Sequence, residues 1–221
     1  MGLFSPIIRQ YLEKVANSVD GDVLDIGCGD KPYRSVFSHV RSYIGIDWLS
    51  DVDTTRSNNA ERKRLLDVAG SAEALPFYCG SFDAVIATQL IEHLGHPGLF
   101  FAEVSRVLRP GSYLILTFPL TGPLHEEPHD YFRFTEHGVR VFCKDHGLNV
   151  ERVEKMGGGW LTVGYLVRDF LYVDARFSRS WLGIRILRFM GLMLYSFFSF
   201  LDKRNLHPEC PLNYLIVARK Q

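Results

Sequence analysis

Two acids and a pair of glycines are the first residues in the chain whose types and spacing could do chemistry. In Val23-Leu24-Asp25-Ile26-Gly27-Cys28-Gly29-Asp30-Lys31-Pro32-Tyr33 an apolar run carries Asp25 and opens into G-x-G. Glycine is needed where a Cβ would block close approach of backbone to a ligand. A strand-to-helix turn of this kind places N–H groups and a helix N-terminus under that ligand. A dinucleotide fingerprint needs a third glycine at position 32, where Pro32 stands, and a G-K-[ST] phosphate loop is absent. The Asp25 carboxylate opposes phosphate and welcomes an ammonium. The loop therefore suits a cationic ligand bearing an amino-acid group. Further on, Gly45-Ile46-Asp47-Trp48 ends a second apolar run in an acid. A carboxylate there can accept both hydroxyls of a ribose, and Trp48 can lie along a purine face.

A second group of chemically capable residues lies in Pro119–Thr135, PLTGPLHEEPHDYFRFT. His125-Glu126-Glu127-Pro128-His129 formally matches H-E-x-x-H, but a zinc protease needs those histidines on one helix face. Pro123 and Pro128 break such a helix, so no metal is expected. The stretch reads instead as an active-site loop. His129, with Asp130 next to it, is the first choice for a general base on an acceptor hydroxyl, because imidazole titrates near working pH. His93 is the second choice. For each, the alternative is a structural histidine. The remaining histidines (39, 96, 137, 146 and 207) read as ordinary surface or core residues.

These residues need a scaffold, and the apolar runs supply one. Strands are predicted at 22–26, 42–46, 65–68, 82–87, 112–118, 148–154 and 213–219. Helices are predicted from Pro6 to about Asn17, with Ser5 as N-cap, and at about 33–39, 97–108 and 135–146. Short β-rich runs separated by helices indicate βαβ units and a doubly wound, largely parallel sheet, here with an antiparallel last strand. Ligands bind beyond the carboxyl ends of such strands, which gathers Asp25 to Gly29, Asp47, Ser71 and residues 88–93 on one rim.

The segment from Trp160 to Arg204 breaks this rhythm and reads as two helices, about 160–177 and 180–204, inserted before the last strand. The charge distribution marks it too. Residues 1–159 hold 16 Lys and Arg against 21 Asp and Glu, whereas residues 160–205 hold 7 against 3 and 11 of the 29 aromatics. The uncharged run Phe189–Leu201 has 13 residues, short of the roughly 20 that span a bilayer. Arg185, Arg188, Ser196, Ser199 and Lys203 share one narrow stripe and the rest of the second helix is apolar. Such a helix packs on protein, lies in a membrane interface, or does both. The chain's formal net charge is zero, which gives no nucleic-acid signal. Four scattered cysteines with no C-x-x-C fit a reducing, cytoplasmic setting. The N-terminal MGLFSPIIRQ has neither a signal-peptide core nor the myristoylation pattern.

The motifs combine in a familiar order. D-x-G-x-G is followed by G-I-D, Ala72-Glu73-Ala74-Leu75-Pro76-Phe77, Gly80-Ser81-Phe82-Asp83-Ala84-Val85, Gln89-Leu90-Ile91-Glu92-His93-Leu94 and Leu108-Arg109-Pro110-Gly111-Ser112-Tyr113-Leu114. Across roughly residues 20–120 the chain resembles class I S-adenosylmethionine-dependent methyltransferases of the type 11 branch. The segment His129–Thr135 resembles one common in those of bacterial polysaccharide and cell-envelope gene clusters. The resemblance implies a Rossmann-like seven-stranded fold with S-adenosylmethionine as cofactor. It implies that Asp25, Gly27, Cys28 and Gly29 hold the methionine end, that Asp47 binds the ribose and that Trp48 flanks the adenine. Ser71 and Ala72 would face the adenine edge, and Gln89 would close over the methionine portion. The family commonly has Asp where Ser71 stands, so the adenine contact loses charge assistance.

The expectation is a methyltransferase core at 1–159, a helical lid at 160–205 and a last core strand at 206–221. The acceptor is expected to be oxygen on a sugar, a lipid-linked glycan or a related small molecule, with a quinone or other lipid next. Peripheral membrane contact through 160–205 on the cytoplasmic face is part of that expectation. The rivals are a non-catalytic cofactor-binding protein and, with less support, an NAD-dependent oxidoreductase. The sequence gives no oligomeric state.

Overall fold

The computed structural model describes residues 5–48, 66–177, 180–204 and 207–221. Seven strands form one sheet: β1 (Asp22–Ile26), β2 (Ser42–Asp47), β3 (Val68–Ala69), β4 (Phe82–Thr88), β5 (Leu108–Pro119), β6 (Leu148–Met156) and β7 (Asn213–Lys220), in the spatial order 3-2-1-4-5-7-6. β3, β2, β1, β4 and β5 run parallel. β7 enters between β5 and β6 in the opposite sense. The Lys220 and Arg219 side chains bond the carbonyls of Leu108 and Gly111 at the start of β5, and Leu120 N donates to Leu212 O at its end. Leu212 N likewise donates to Met156 O, and Gln221 N to Gly147 O. The sheet is thus the expected mixed α/β one, with its last strand antiparallel.

The central strands read as continuous apolar runs because both faces are covered. Val23, Leu24, Ile26, Val85, Ile86, Leu114 and Leu116 are all buried. Helix α1 (Ser5–Ala16) presents Ile8, Leu12 and Val15 to the core, and α2 (Pro97–Val107) starts with Pro97 and buries Phe100, Phe101, Val104 and Val107. Both follow the i, i+3, i+4, i+7 rule. Helix α3 (Glu136–Asp145) is capped by Thr135, whose hydroxyl accepts from Gly138 N at 3.1 Å.

Two local expectations change. The helix predicted at 33–39 is only a 3₁₀ turn at Arg34–Phe37, so no α-helix N-terminus follows the glycine loop. β3 begins at Val68 rather than 65, and residues 49–65, with the link they form between β2 and β3, lie outside the described residues.

The chain divides into two compact units: residues 1–118, 125–154 and 215–221, and residues 119–124 and 155–214. The second contains helices α4 (Gly159–Phe177) and α5 (Trp181–Asp202), packed antiparallel. Trp160 stacks on Phe198 with centroids 5.7 Å apart, and Gly191 is buried against the Arg168 backbone. A Cβ on Gly164 would lie 2.6 Å from Phe198 Cβ, so glycine sets this close approach. Asp202, at the end of α5, caps α4: its two carboxylate oxygens accept from Gly158 N at 2.9 Å and Leu161 N at 3.0 Å.

Candidate active site

The glycine loop leaves β1 with Gly27 at φ +70° and Gly29 at φ +50°, conformations that favour glycine. Its amides do not point at a ligand, as the sequence suggested. Gly27 N and Cys28 N both donate to Ile46 O, at 2.9 and 3.2 Å, and Gly29 N donates to Asp47 Oδ2 at 2.8 Å. With those donors taken by β2 and no helix N-terminus behind them, the loop is not an anion cradle.

Asp47, at the end of β2, holds this arrangement. Its Oδ2 takes Gly29 N and its Oδ1 takes Trp48 N at 2.7 Å. A carboxylate has about four lone-pair positions, the acceptor chemistry that a diol requires. Trp48, next to it, is 61% exposed.

Asp25 lies beneath this rim rather than on it. It is 1% exposed; Tyr43 donates its hydroxyl to Oδ2 at 2.6 Å, and Oδ1 has no partner among the described residues. Burial pushes its carboxyl up to about 7. Cys28 also turns inward and is buried, and burial raises its thiol far above the usual range. The Cys28 side chain therefore packs under the loop. Sequence reasoning missed what it packs with: Lys31, itself buried, crosses Gly45 to reach Asp67, with Nζ 2.5 Å from Oδ2. A Cβ on Gly45 would stand 2.3 Å from Lys31 Cε and 2.7 Å from Cys28 Sγ. The glycine of G-I-D is thus a packing requirement.

Several other residues in and beside the motifs bond to one another. Arg106 bonds the carbonyls of Leu75 and Phe77 and pairs with Glu103, whose Oε2 accepts from Leu75 N. Arg109 pairs with Asp83 at 2.5 Å. Ser71 is exposed, and its hydroxyl accepts from Glu73 N at 3.1 Å, closing the turn that carries Ala72. Gly70 N to Asp47 O, at 3.0 Å, places this turn beside the end of β2. Gln89 adopts φ +51° just past β4, and its Nε2 lies 3.3 Å from Thr117 Oγ1. A non-glycine residue in that conformation is a strained position of the kind that collects at functional sites.

The histidine loop is organised differently from its sequence order. Asp130 does not orient His129. Its carboxylate is gripped by Arg133 at 2.6 and 2.8 Å and accepts from His125 N at 2.9 Å. Those partners hold it well below the usual carboxylate range, the Arg133 guanidinium foremost. His129 instead sets Nδ1 2.9 Å from the Tyr131 hydroxyl and packs its ring on Trp48, with centroids 5.6 Å apart. Its carbonyl accepts from His93 Nδ1 at 2.6 Å. Burial lowers the His93 ring from its ordinary range. Beneath them is Glu92, fully buried, whose backbone carbonyl accepts from Tyr131 N and Phe132 N. Beside this loop Phe132, Phe134, Phe142 and Leu99 line an open apolar hollow of about 650 Å³.

Known proteins resemble parts of this chain. Residues 24–116 match the family described as "Methyltransferase domain". That match covers 93 of the 221 residues. It spans β1 to β5 and carries the glycine loop, Asp47, Gln89 and Glu92-His93. The chain is 38% identical over 99 residues to a phthiotriol/phenolphthiotriol dimycocerosates methyltransferase of Mycobacterium ulcerans, covering 43% of this chain and 36% of that protein. It is 34% identical over 98 residues to a fatty-acid O-methyltransferase of Mycolicibacterium smegmatis, covering 43% and 36%. The matches thus span little more than a third of these relatives. Among solved structures, a putative methyltransferase from Bacillus halodurans aligns with TM-score 0.60 at 15% identity over 96% of this chain and 98% of that one. The [4+2]-cyclase SpnF aligns with TM-score 0.61 at 20% identity, over 96% and 81%. The fold is thus shared by a putative methyltransferase and a cyclase, and function must be argued from the site.

Proposed function

We propose that the protein transfers a methyl group from S-adenosylmethionine to an oxygen of a lipid-linked acceptor, a hydroxyl on a sugar, glycan or lipid. The observation that carries the cofactor reading is the way the loop and Asp47 complete each other. The loop's amides are bonded to β2, a buried Asp25 oxygen beneath it has no partner among the described residues, and the Asp47 carboxylate stands at the rim. That chemistry suits an ammonium and a ribose diol better than a pyrophosphate, which also disfavours NAD. Asp25, Gly27 and Gly29 would hold the methionine end, with Cys28 contributing backbone and packing. Asp47 would bind the ribose, Trp48 and the Ser71–Ala72 turn would border the adenine, and Gln89 would border the methionine portion.

When bound, the cofactor supplies an electrophilic methyl on a sulfonium. The chain's own residues align the acceptor oxygen, exclude water and receive its proton. His129 is the preferred receiver, with Nε2 available on the tautomer that donates from Nδ1 to Tyr131. His93, held by the His129 carbonyl, positions the loop. The apolar hollow beside Phe132 and the two lipid-modifying relatives support a lipid part in the acceptor. A quinone remains the second acceptor class on the same grounds. Thermal shift with S-adenosylhomocysteine against NAD tests the cofactor. Labelled-methyl transfer to fractionated lipid and glycan extracts tests the acceptor, and tight cofactor binding with no transfer to any fraction would favour a non-catalytic protein.

Helix α5 supports contact with the cytoplasmic face of a membrane. It is 22 residues long and apolar enough to cross a bilayer by length and composition, and only 6% of its most apolar window is buried. Phe189, Met190, Leu192, Met193, Phe197 and Phe200 are exposed, while Arg185 lies over the Trp181 ring and Arg188 over Tyr172. An apolar face with arginines at one end suits an interfacial helix. Co-sedimentation with anionic and neutral vesicles tests it. Negligible binding to both by the wild type would remove this part of the proposal.

A further inference from the structure

We propose that Glu92, His93 and His125 form a binding site for a divalent transition-metal ion of the zinc class. One ligand atom from each lies within 4.8 Å of the others. Glu92 carries the strongest signal. It is fully buried, and neither carboxylate oxygen has a hydrogen-bond partner among the described residues. An unmatched carboxylate in such a place is costly. A cation would provide the missing partner.

The two imidazoles are set as metal ligands usually are. Metal-bound histidine commonly donates its other ring N–H to a carbonyl or carboxylate, which fixes the tautomer. His93 Nδ1 meets the His129 carbonyl at 2.6 Å, which can only accept, so the lone pair is on Nε2, 3.9 Å from Glu92 Oε1. His125 Nδ1 faces Asp130 Oδ2 at 3.3 Å, and Arg133 anchors that carboxylate. The rings of His93 and His125 meet edge-on with centroids 4.7 Å apart. Two nitrogens and one carboxylate make a donor set suited to zinc. Tetrahedral bonds of about 2.0–2.1 Å require ligand separations of roughly 3.4 Å, so the set must contract by about 1 Å. His125, 45% exposed on its loop, is the most exposed of the three side chains.

This site escapes the objection raised by the sequence. H-E-x-x-H fails as a helical motif, and only its first histidine is used. The other ligands come from the turn after β4, and the second histidine contributes its carbonyl to His93. The inference does not depend on methyl transfer.

The test is zinc titration of the untagged, chelator-stripped full chain by calorimetry, with elemental analysis after dialysis. The expected result is one zinc per chain, bound at least tenfold more tightly than magnesium. His125→Ala and Glu92→Gln should each weaken binding at least tenfold, in line with loss of a ligand, while His137→Ala should leave it unchanged. Because His125 is on an exposed loop, that variant decides the matter if Glu92→Gln fails to fold. Absence of saturable binding, or undiminished affinity in His125→Ala, would overturn the site. So would loss of binding in Cys79→Ser/Cys210→Ser, which would trace the metal to thiols.

Discussion

The His129 ring meets the Trp48 indole edge-on, with centroids 5.6 Å apart and planes at 77°. The two residues are 81 positions apart. Trp48 directly follows Asp47, and His129 belongs to the loop between β5 and α3. The contact therefore brings the loop with the candidate base to the strand end with the candidate ribose ligand.

This contact allows packing to be separated from proton transfer. His129→Phe keeps an aromatic edge against Trp48 and removes the imidazole. We expect kcat to fall about 100-fold, within the range for loss of a general base, while the cofactor dissociation constant changes less than twofold. Single-turnover kinetics beside calorimetry measures both. An unchanged kcat would assign the step to alignment and desolvation alone.

Asp47→Ala removes the proposed ribose acceptor and also frees Gly29 N, so it should raise the dissociation constant for S-adenosylmethionine at least tenfold by calorimetry. That factor corresponds to about 1.4 kcal/mol, modest for a charge-assisted pair of hydrogen bonds. Asp47→Asn keeps one acceptor oxygen and should fall between the two. Equal affinity in wild type and Asp47→Ala would show that the ribose contact is misplaced.

The sheet was readable because its central strands are buried on both faces and so appear as unbroken apolar runs, as in DVLDI and FDAVIAT. The site was readable where neighbours in sequence act together, as in the glycine loop and G-I-D. It was not readable where partners are distant. Lys31 finds Asp67 36 residues on, and Asp202 caps a helix that begins more than 40 residues earlier. Adjacency misled at His129-Asp130, because three residues on, Arg133 offers the carboxylate a bidentate partner. The helix predicted after the glycine loop failed locally, because Ser35, Val36, Phe37 and Ser38 are weak helix formers.

Asp25 predicts a pH dependence. Burial raises its folded-state pKa to about 7, above the unfolded value near 3.8. The folded chain therefore holds a proton that the unfolded chain releases, and stability is greatest below pH 4 on this account. It declines as pH rises towards 7, by about 4 kcal/mol for a shift of this size. Asp25→Asn should flatten the decline between about pH 4 and 7, as followed by denaturant melts. A cationic ligand would favour the ionised form, so cofactor binding near pH 6 should release a proton in the wild type and none in Asp25→Asn. Calorimetry in buffers of different ionisation enthalpy reads this directly, and identical proton counts in the two proteins would remove Asp25 from the cofactor's surroundings.

Asp202 gives a prediction for the helical pair alone. Its carboxylate accepts from Gly158 N and Leu161 N at the start of α4, where a negative charge also meets the positive end of the helix dipole. Asp202→Ala leaves both amides without that acceptor and should destabilise the α4–α5 unit by about 1–2 kcal/mol, the usual cost of a lost cap. Asp202→Asn should recover part of this. Hydrogen exchange at residues 158–162 should accelerate by roughly tenfold, while exchange in β1 and β4 stays unchanged. Uniform acceleration through the sheet would instead show that the helical pair and the sheet unfold as one unit.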